Sequence, residues 1–292
     1  MVAPSLMVRA AIDIGTNSVR LLVAGERGDM IRRTTVTGLG RGLRATGRLS
    51  AEGRASTRSV LESYRREMSA AGVTRVRAVM TAAGRAASDV GEFLDEAAQA
   101  LGFRPEVIGG DEEARLSYAG SVADLEGDAW TVVDIGGGST EVVGRQGGES
   151  YEIGSVVLTD EYLADRPVAP ARLEAARDLA ASLISPSPAP DGVVGVAGTW
   201  TSLAAMSLAL EPYDPDRVHH HRLTRAAVEE WVDRLSGMGT EDTARLPGLD
   251  PARAPVILGG SIAASAALAA LQADSCLVSE RDLLDGVLAS LG

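Results

Sequence analysis

The residues best suited to chemistry lie in two short stretches that share one pattern. Residues 134–141 read DIGGGSTE, and residues 13–20 read DIGTNSVR. In each, an aspartate closes an apolar run and is followed by glycine and small hydroxyl residues. Glycine lets successive backbone N–H groups converge into a concave nest, and such nests bind anions. Thr16 and Ser18 in the first stretch, and Ser139 and Thr140 in the second, add hydroxyl donors. The same letters would also serve a tight β-turn that needs glycine for positive φ. Duplication favours the anion: two facing nests suit several separated charges, a polyphosphate better than a lone carboxylate.

Carboxylates flank these loops. Asp13 and Asp134 end apolar strands, which places them at the floor of a cleft. A carboxylate facing phosphates is repelled unless a cation lies between them, so Asp13, Asp134 and Glu141 point to Mg²⁺ (or Mn²⁺). An aspartate capping its own loop amides is the alternative. A third stretch, GGDEEARLSYAG at 109–120, offers Asp111, Glu112 and Glu113 at the start of a helix. Acids are welcome in a first helical turn for electrostatic reasons alone. They could equally supply the base that orients a water in line with a phosphoanhydride. The residues leave that choice open. Arg20 and Arg85 are planar, permanently charged groups fit to bind phosphate oxygens. The arginines of RRTTVTGLGRGLRATGR (32–48) form the most basic stretch of the chain, a candidate rim for a long anion.

These residues need elements to position them. VRAAIDI (8–14), VRLLVAG (19–25) and MIRRTTVTG read as three strands, followed by a helix over 50–71 that opens on Ser50. A strand RVRAVMT, a helix near 86–101, a strand PEVI and a helix from about Asp111 complete an α/β unit. The order then restarts with WTVVDIGGG, TEVVGRQ and SYEIGSVVLT as three strands. A helix near 170–184 ends at SPSPAPDG, and a strand VVGVAG leads into a helix from Thr201. Helices near 223–236 and 251–272, a strand SCLVS and a helix from Asp282 follow. The two DIG stretches stand 121 residues apart in matching contexts, which identifies an internal duplication. The expected fold is therefore α/β, with two like domains, 1–126 and 127–292, facing across a cleft.

Bulk properties exclude other classes. The 292 residues carry a formal net charge of -12 at a pI near 4.8, against a broad nucleic-acid surface. All basic residues are arginine, which removes Schiff-base lysines and Walker-type loops. The single cysteine, Cys276, excludes an intrachain disulfide and fits a core position in a cytoplasmic protein. The N-terminus shows no secretory leader pattern. The uncharged segment 255–273 is rich in Ala, Gly and Ser and reads as a closely packed buried helix rather than a membrane span. RVHHHRLT (217–224) reads as a solvated lead-in.

Together, AIDIGTNSVRLLV, TAAGRAASD, VIGGDEEARLSYAG, VVDIGGGSTEVV, VAGTWTSLAA, RLPGLDPARAPVILGG and VSERDLLDG resemble the exopolyphosphatase / guanosine pentaphosphate phosphohydrolase family of the actin-like superfamily. The resemblance runs over nearly the whole length, in the short two-domain form. It implies two actin-like (ribonuclease H-like) domains and Mg²⁺-dependent hydrolysis of a terminal phosphoanhydride. The substrate would be inorganic polyphosphate, short chains favoured, or guanosine pentaphosphate, with no nucleic-acid or membrane partner. A homodimer is compatible with it. It assigns the base to Glu113, metal-associated acids to Asp134 and Glu141, and phosphate contacts to Arg20 and Arg85. It assigns backbone and hydroxyl contacts to Gly15, Thr16, Asn17, Ser18, Gly136, Gly137, Gly138, Ser139 and Thr140. Ala82, Ala86 and Asp89 depart from the family's polar pattern, and Asp89 would add negative charge near the phosphates. Trp200 adds bulk beside the glycine turn. An ATP-dependent kinase and a non-catalytic binding protein are the remaining readings; the EEAR carboxylate argues against the first, the full set of carboxylates against the second.

Overall fold

A computed structural model describes residues 7–26, 28–127, 129–186 and 192–292. Part of SPSPAPDG, Asp128 at the expected domain boundary and the first six residues lie outside that set.

The chain builds two sheets. Strands β1 (Arg9–Ile14), β2 (Ser18–Gly25), β3 (Gly28–Val36), β4 (Arg75–Met80) and β5 (Glu106–Val107) form the first, in the order β3-β2-β1-β4-β5. Strands β6 (Trp130–Ile135), β7 (Thr140–Gly144), β8 (Gly147–Tyr151), β9 (Gly192–Val196), β10 (Arg222–Thr224) and β11 (Ser275–Val278) form the second, in the order β10-β11-β9-β6-β7-β8. Reversing the second order makes the likeness plain. In both sheets a three-strand antiparallel meander continues into parallel strands, as expected for duplicated actin-like domains. β1 and β6 are central in their sheets, and central strands buried on both faces read as unbroken apolar runs. RAAIDI and WTVVDI are mostly apolar on both faces, each interrupted by the aspartate that enters the site.

Side-chain alternation divides each sheet between two cores. In the first, Ile12, Ile14, Leu21 and Val23 pack under helices Ala51–Ala70 and Val90–Leu101. Ala11, Leu22 and Ala24 face the opposite core, which is closed by Leu283, Leu284, Val287 and Leu288 of helix Leu283–Ala289. In the second sheet, Val133, Ile135 and Val193 join the larger core of helices Pro170–Leu183, Gly198–Ser207, Arg225–Ser236 and Ile257–Ala270. Val132, Val194 and Val196 face Tyr118, Val122 and Leu125, in and just after helix Gly110–Ser121. The two halves therefore exchange helices. Helix Gly110–Ser121 follows the first sheet in sequence but packs on the second, and the closing helix packs on the first. The exchanged helices cross with their backbones in contact. A Cβ on Gly120 would stand 2.1 Å from the Asp282 carbonyl, and one on Gly286 1.9 Å from the Leu116 carbonyl.

Some local expectations change. SYEIGSVVLT, expected as a strand, is only partly one: strand Gly147–Tyr151 ends within it, and helix Ser155–Leu158 follows and runs into a π-turn at Thr159–Leu163. The carbonyls of Gly136 and Gly137 accept from the N–H groups of Ser155, Val156 and Val157, so the glycine loop itself starts this helix. The helix expected near 86–101 is two, Ala82–Ala86 and Val90–Leu101. Residues 222–224, expected at a helix start, add the edge strand β10. Within segment 255–273, Ile257–Ala270 is a buried helix, and among the described residues no helix is long and apolar enough to cross a membrane.

Candidate active site

Each duplicated hairpin brings its chemistry into register. In β1–β2, Asp13 stands directly opposite Arg20; in β6–β7, Asp134 stands directly opposite Glu141. The duplication has thus placed an arginine in one lobe where the other carries a glutamate. Both loops close in the same way, Gly15 N–H on the Ser18 carbonyl and Gly136 N–H on the Ser139 carbonyl, each at 2.9 Å. The loops then meet face to face. A Cβ on Gly137 would lie 3.0 Å from Thr16 Cβ and 3.1 Å from Asn17 N, and one on Gly138 would lie 2.8 Å from Thr16 Oγ1. The glycines are therefore required by the approach of the opposite loop, a reason that single-loop reasoning did not supply.

Between the loops lies a cavity of about 70 Å³. Asp13, Gly15, Thr16, Asn17, Ser18, Arg20, Glu113, Asp134, Gly136, Gly137, Gly138, Ser139 and Glu141 all line it. Two expected residues do not. Thr140 is buried, with its hydroxyl donating to the Ile153 carbonyl at 2.6 Å, so it braces the hairpin and is not free to donate to an anion. Arg85 lines a neighbouring chamber of about 490 Å³ and reaches the site through Glu113, donating from Nη1 to Oε2 at 2.5 Å.

Geometry separates the three acids of GGDEEAR. Asp111 is exposed, and Glu112 accepts from Arg77 at 2.7 Å. Glu113, in the first turn of helix Gly110–Ser121, is buried and faces the cavity. Burial pushes its carboxyl up to about 7, with Asp134 and Asp13 adding to the rise and Arg85 opposing it. Asp134, which accepts from Ser117 Oγ at 2.8 Å, is raised to about 6 by burial against the pull of Arg20. Glu141, accepting from Ser150 Oγ at 2.7 Å, is raised to about 8 by burial and then by Glu113 and Asp134. Burial also raises Asp13. Four buried carboxyls in one small cavity repel each other, an arrangement a divalent cation relieves. Asp13 Oδ1 is buried without a hydrogen-bond partner, so one ligand atom is already desolvated. The donor set, oxygen only, fits Mg²⁺ or Mn²⁺.

Arg20 is more constrained than expected. Its Nε and Nη2 donate to Asp13 Oδ2 at 2.9 and 2.8 Å, and its Nη1 donates to Asp282. Sequence reasoning missed a second arginine in the cavity, Arg253, which among the described residues forms no ion pair. It ends the short 3-10 turn Pro251–Arg253 and packs against Gly198, where a Cβ would come within 1.7 Å of its Nη1. Its position between Pro251 and Pro255, in a turn with little freedom, was the available signal.

Other expectations are corrected. Asp89 does not face the phosphate loops: it is buried and accepts from Leu49 N at 3.0 Å and Arg54 Nη1 at 2.9 Å. Most of the basic stretch 32–48 is paired, with Arg41 exposed and in no ion pair among the described residues. Arg32 pairs with Asp29 and Asp285, Arg33 with Glu67, Arg44 with Glu161, and Arg48 with Asp89 and Glu92. Trp200 is fully buried over Gly195, away from solvent. The histidine run is not simply solvated either. His219 Nδ1 accepts from Glu280 N at 3.2 Å, which leaves Nε2–H to donate to Asp124 at 2.9 Å. Arg281 Nε reaches the same carboxylate at 3.2 Å. Asp124 thereby ties the two chain segments that cross between the lobes.

Comparison with known proteins identifies the family. The model of the Ppx/GppA phosphatase family matches residues 20–291. The chain is 37% identical to exopolyphosphatase 2 of Mycobacterium tuberculosis over 311 aligned residues, covering 97% of this chain and 98% of that one. Among solved structures, a Ppx/GppA protein of Aquifex aeolicus superposes with a TM-score of 0.80 at 34% identity, over 98% of each chain. An exopolyphosphatase-like protein gives a TM-score of 0.92 at 30% identity, covering 98% of this chain and 99% of that one. The exopolyphosphatase of Cytophaga hutchinsonii, at 22% identity and a TM-score of 0.87, shares the fold. On these grounds the chain belongs to the Ppx/GppA phosphatase family and is an exopolyphosphatase homologue.

Proposed function

We propose that the protein hydrolyses the terminal phosphoanhydride of inorganic polyphosphate, with short chains as its preferred substrates. The observation that carries this reading is Glu113. A carboxyl raised to about 7 shares one small cavity with two facing glycine loops and three further acids. A base with its pKa near the working pH is best suited to take a proton from water as that water attacks. Glu113 would orient the water, and the Arg85 contact would hold the carboxylate in place. Loop amides at 15–18 and 136–139, with the Thr16, Ser18 and Ser139 hydroxyls, would bind the terminal phosphate. Arg20 and Arg253 would offset charge on its oxygens in a loose transition state. Asp13, Asp134 and Glu141 would hold Mg²⁺ (or Mn²⁺), which supplies charge neutralisation between carboxylates and phosphate. What supports the preference for short chains is the pairing of Arg32, Arg33, Arg44 and Arg48, which among the described residues leaves Arg41 as the unpaired arginine of that stretch.

A second reading, guanosine pentaphosphate as substrate, draws on the adjoining chamber. It shares Thr16, Ala82, Gly138 and Ser139 with the cavity, and its walls include Leu43, Ala83, Ala86, Val156 and Val157. Such apolar patches suit a base and ribose, while Arg44 and Arg85 of the same chamber suit further phosphates. Phosphate release from equal concentrations of short polyphosphate and guanosine pentaphosphate decides between them. Polyphosphate hydrolysis at full rate by Glu113→Ala would sink the mechanism for both.

A further inference from the structure

We propose that Asp282, which lies outside both hairpins, is a positioning residue that sets the orientation of the Arg20 guanidinium in the cleft. This rests on the reading of Arg20 as a group that faces phosphate. A guanidinium carries five N–H bonds in one plane. Asp13 takes Nε–H and one N–H of Nη2, and Asp282 takes one N–H of Nη1. Two N–H bonds remain, one on each terminal nitrogen, on a group that lines the cavity. Those two N–H bonds are left to serve phosphate oxygens, in directions fixed by the two carboxylates. With Asp13 alone the plane could swing about its contact with one oxygen; the second carboxylate removes that freedom.

Asp282 is itself fixed from three sides. Its Oδ1 accepts from Leu284 N at 2.9 Å as the N-cap of the closing helix. Its N–H donates to Asp285 Oδ2 at 3.0 Å, and Asp285 is held by Arg32 of β3 at 2.7 Å. The residue before it, Arg281, is bound to Asp124 on the other interlobe segment. The two oxygens of Asp282 thus divide their work, one capping a helix and one aiming an arginine. An amide cannot do both. With Asp282→Asn the side chain could still cap through its oxygen, since asparagine caps as well as aspartate. Its NH₂ would then confront Nη1–H, donor against donor.

The test compares Asp282→Asn, Asp282→Ser and Asp282→Glu in the full chain, with short polyphosphate and Mg²⁺ as substrate and cation. A positioning role predicts that D282N and D282S stay folded at assay temperature, with some loss of melting temperature from the unpaired Nη1–H, and lose about 10–100-fold in kcat, as for other groups that orient a reacting residue. KM should move far less than kcat, since the loop amides and Arg253 still bind the phosphate. D282E, which keeps two oxygens, should recover part of the loss. In an Arg20→Ala background D282N should cost nothing further. Wild-type kcat in D282N and D282S, or the same loss with and without Arg20, overturns the proposal. A wild-type rate in Arg20→Ala alone would instead overturn the reading of Arg20 on which it rests.

Discussion

Replacing Glu113 by Gln should make the protein more stable and nearly inactive. Its carboxyl is 4.5 in ordinary surroundings and about 7 here, because burial outweighs the favourable Arg85 contact and Asp134 and Asp13 repel it. Holding it ionised at neutral pH and above therefore costs the fold on the order of 3 kcal/mol. The sign follows from the folded value lying above the unfolded one. The protonated group's contribution is fully present below about pH 4.5 and is lost as pH rises through about 7. Gln, neutral at every pH and still able to accept from Arg85, escapes that loss. With divalent cations chelated, thermal denaturation of E113Q and wild type should differ little near pH 5. Near pH 8 the variant should melt several degrees higher, at roughly 2–4 °C per kcal/mol. Phosphate release should fall by about 10²–10⁴-fold, the usual worth of a general base. In the wild type the rate should rise as pH climbs through about 7, as the base loses its proton. A variant less stable than wild type near pH 8, or one that works at full rate, refutes the reasoning.

Other predictions follow from the same geometry. Mg²⁺ should raise the melting temperature more near pH 8 than near pH 5, because Asp134 at about 6 and Glu141 at about 8 are largely protonated at the lower pH; an equal gain at both would place the cation elsewhere. Arg253→Ala should fold normally and reduce kcat/KM by roughly 10–100-fold, the worth of one charged hydrogen bond to phosphate, measured by steady-state phosphate release. Gly286→Ala should destabilise the chain by about 1–3 kcal/mol in urea denaturation, since its methyl would meet the Leu116 carbonyl at 1.9 Å and neither backbone has room to yield.

How much was legible in the sequence depended on whether the signal was local. The duplicated hairpins were readable because an apolar run, an aspartate and a glycine turn lie within a dozen residues. Glu113 could not be told from Asp111 and Glu112 by residue chemistry, because the choice depends on helix phase and on Arg77 taking Glu112. The resemblance supplied it instead. Thr140 looked like its neighbour Ser139, yet its hydroxyl turns to the Ile153 carbonyl, a pairing set by where the chain goes 13 residues later. The arginines of 32–48 looked like a cationic rim because their partners, Glu67, Asp285 and Glu161 among them, are distant in sequence. The helix exchange was hidden for a similar reason. Small residues at Gly120 and Gly286 carry no sign that they touch across more than half the chain.

On the proposed reading, Glu113 directs water onto a polyphosphate end held between the two loops. Phosphate release should be measured from short polyphosphate, long polyphosphate, guanosine pentaphosphate and ATP, with and without Mg²⁺, for wild type and Glu113→Gln. Release by the wild type should depend on Mg²⁺ and be fastest from short polyphosphate, and release by the variant should be about 10²–10⁴-fold slower. Release that is equally fast in the variant, or ADP formation from ATP that requires an added acceptor, would contradict that reading.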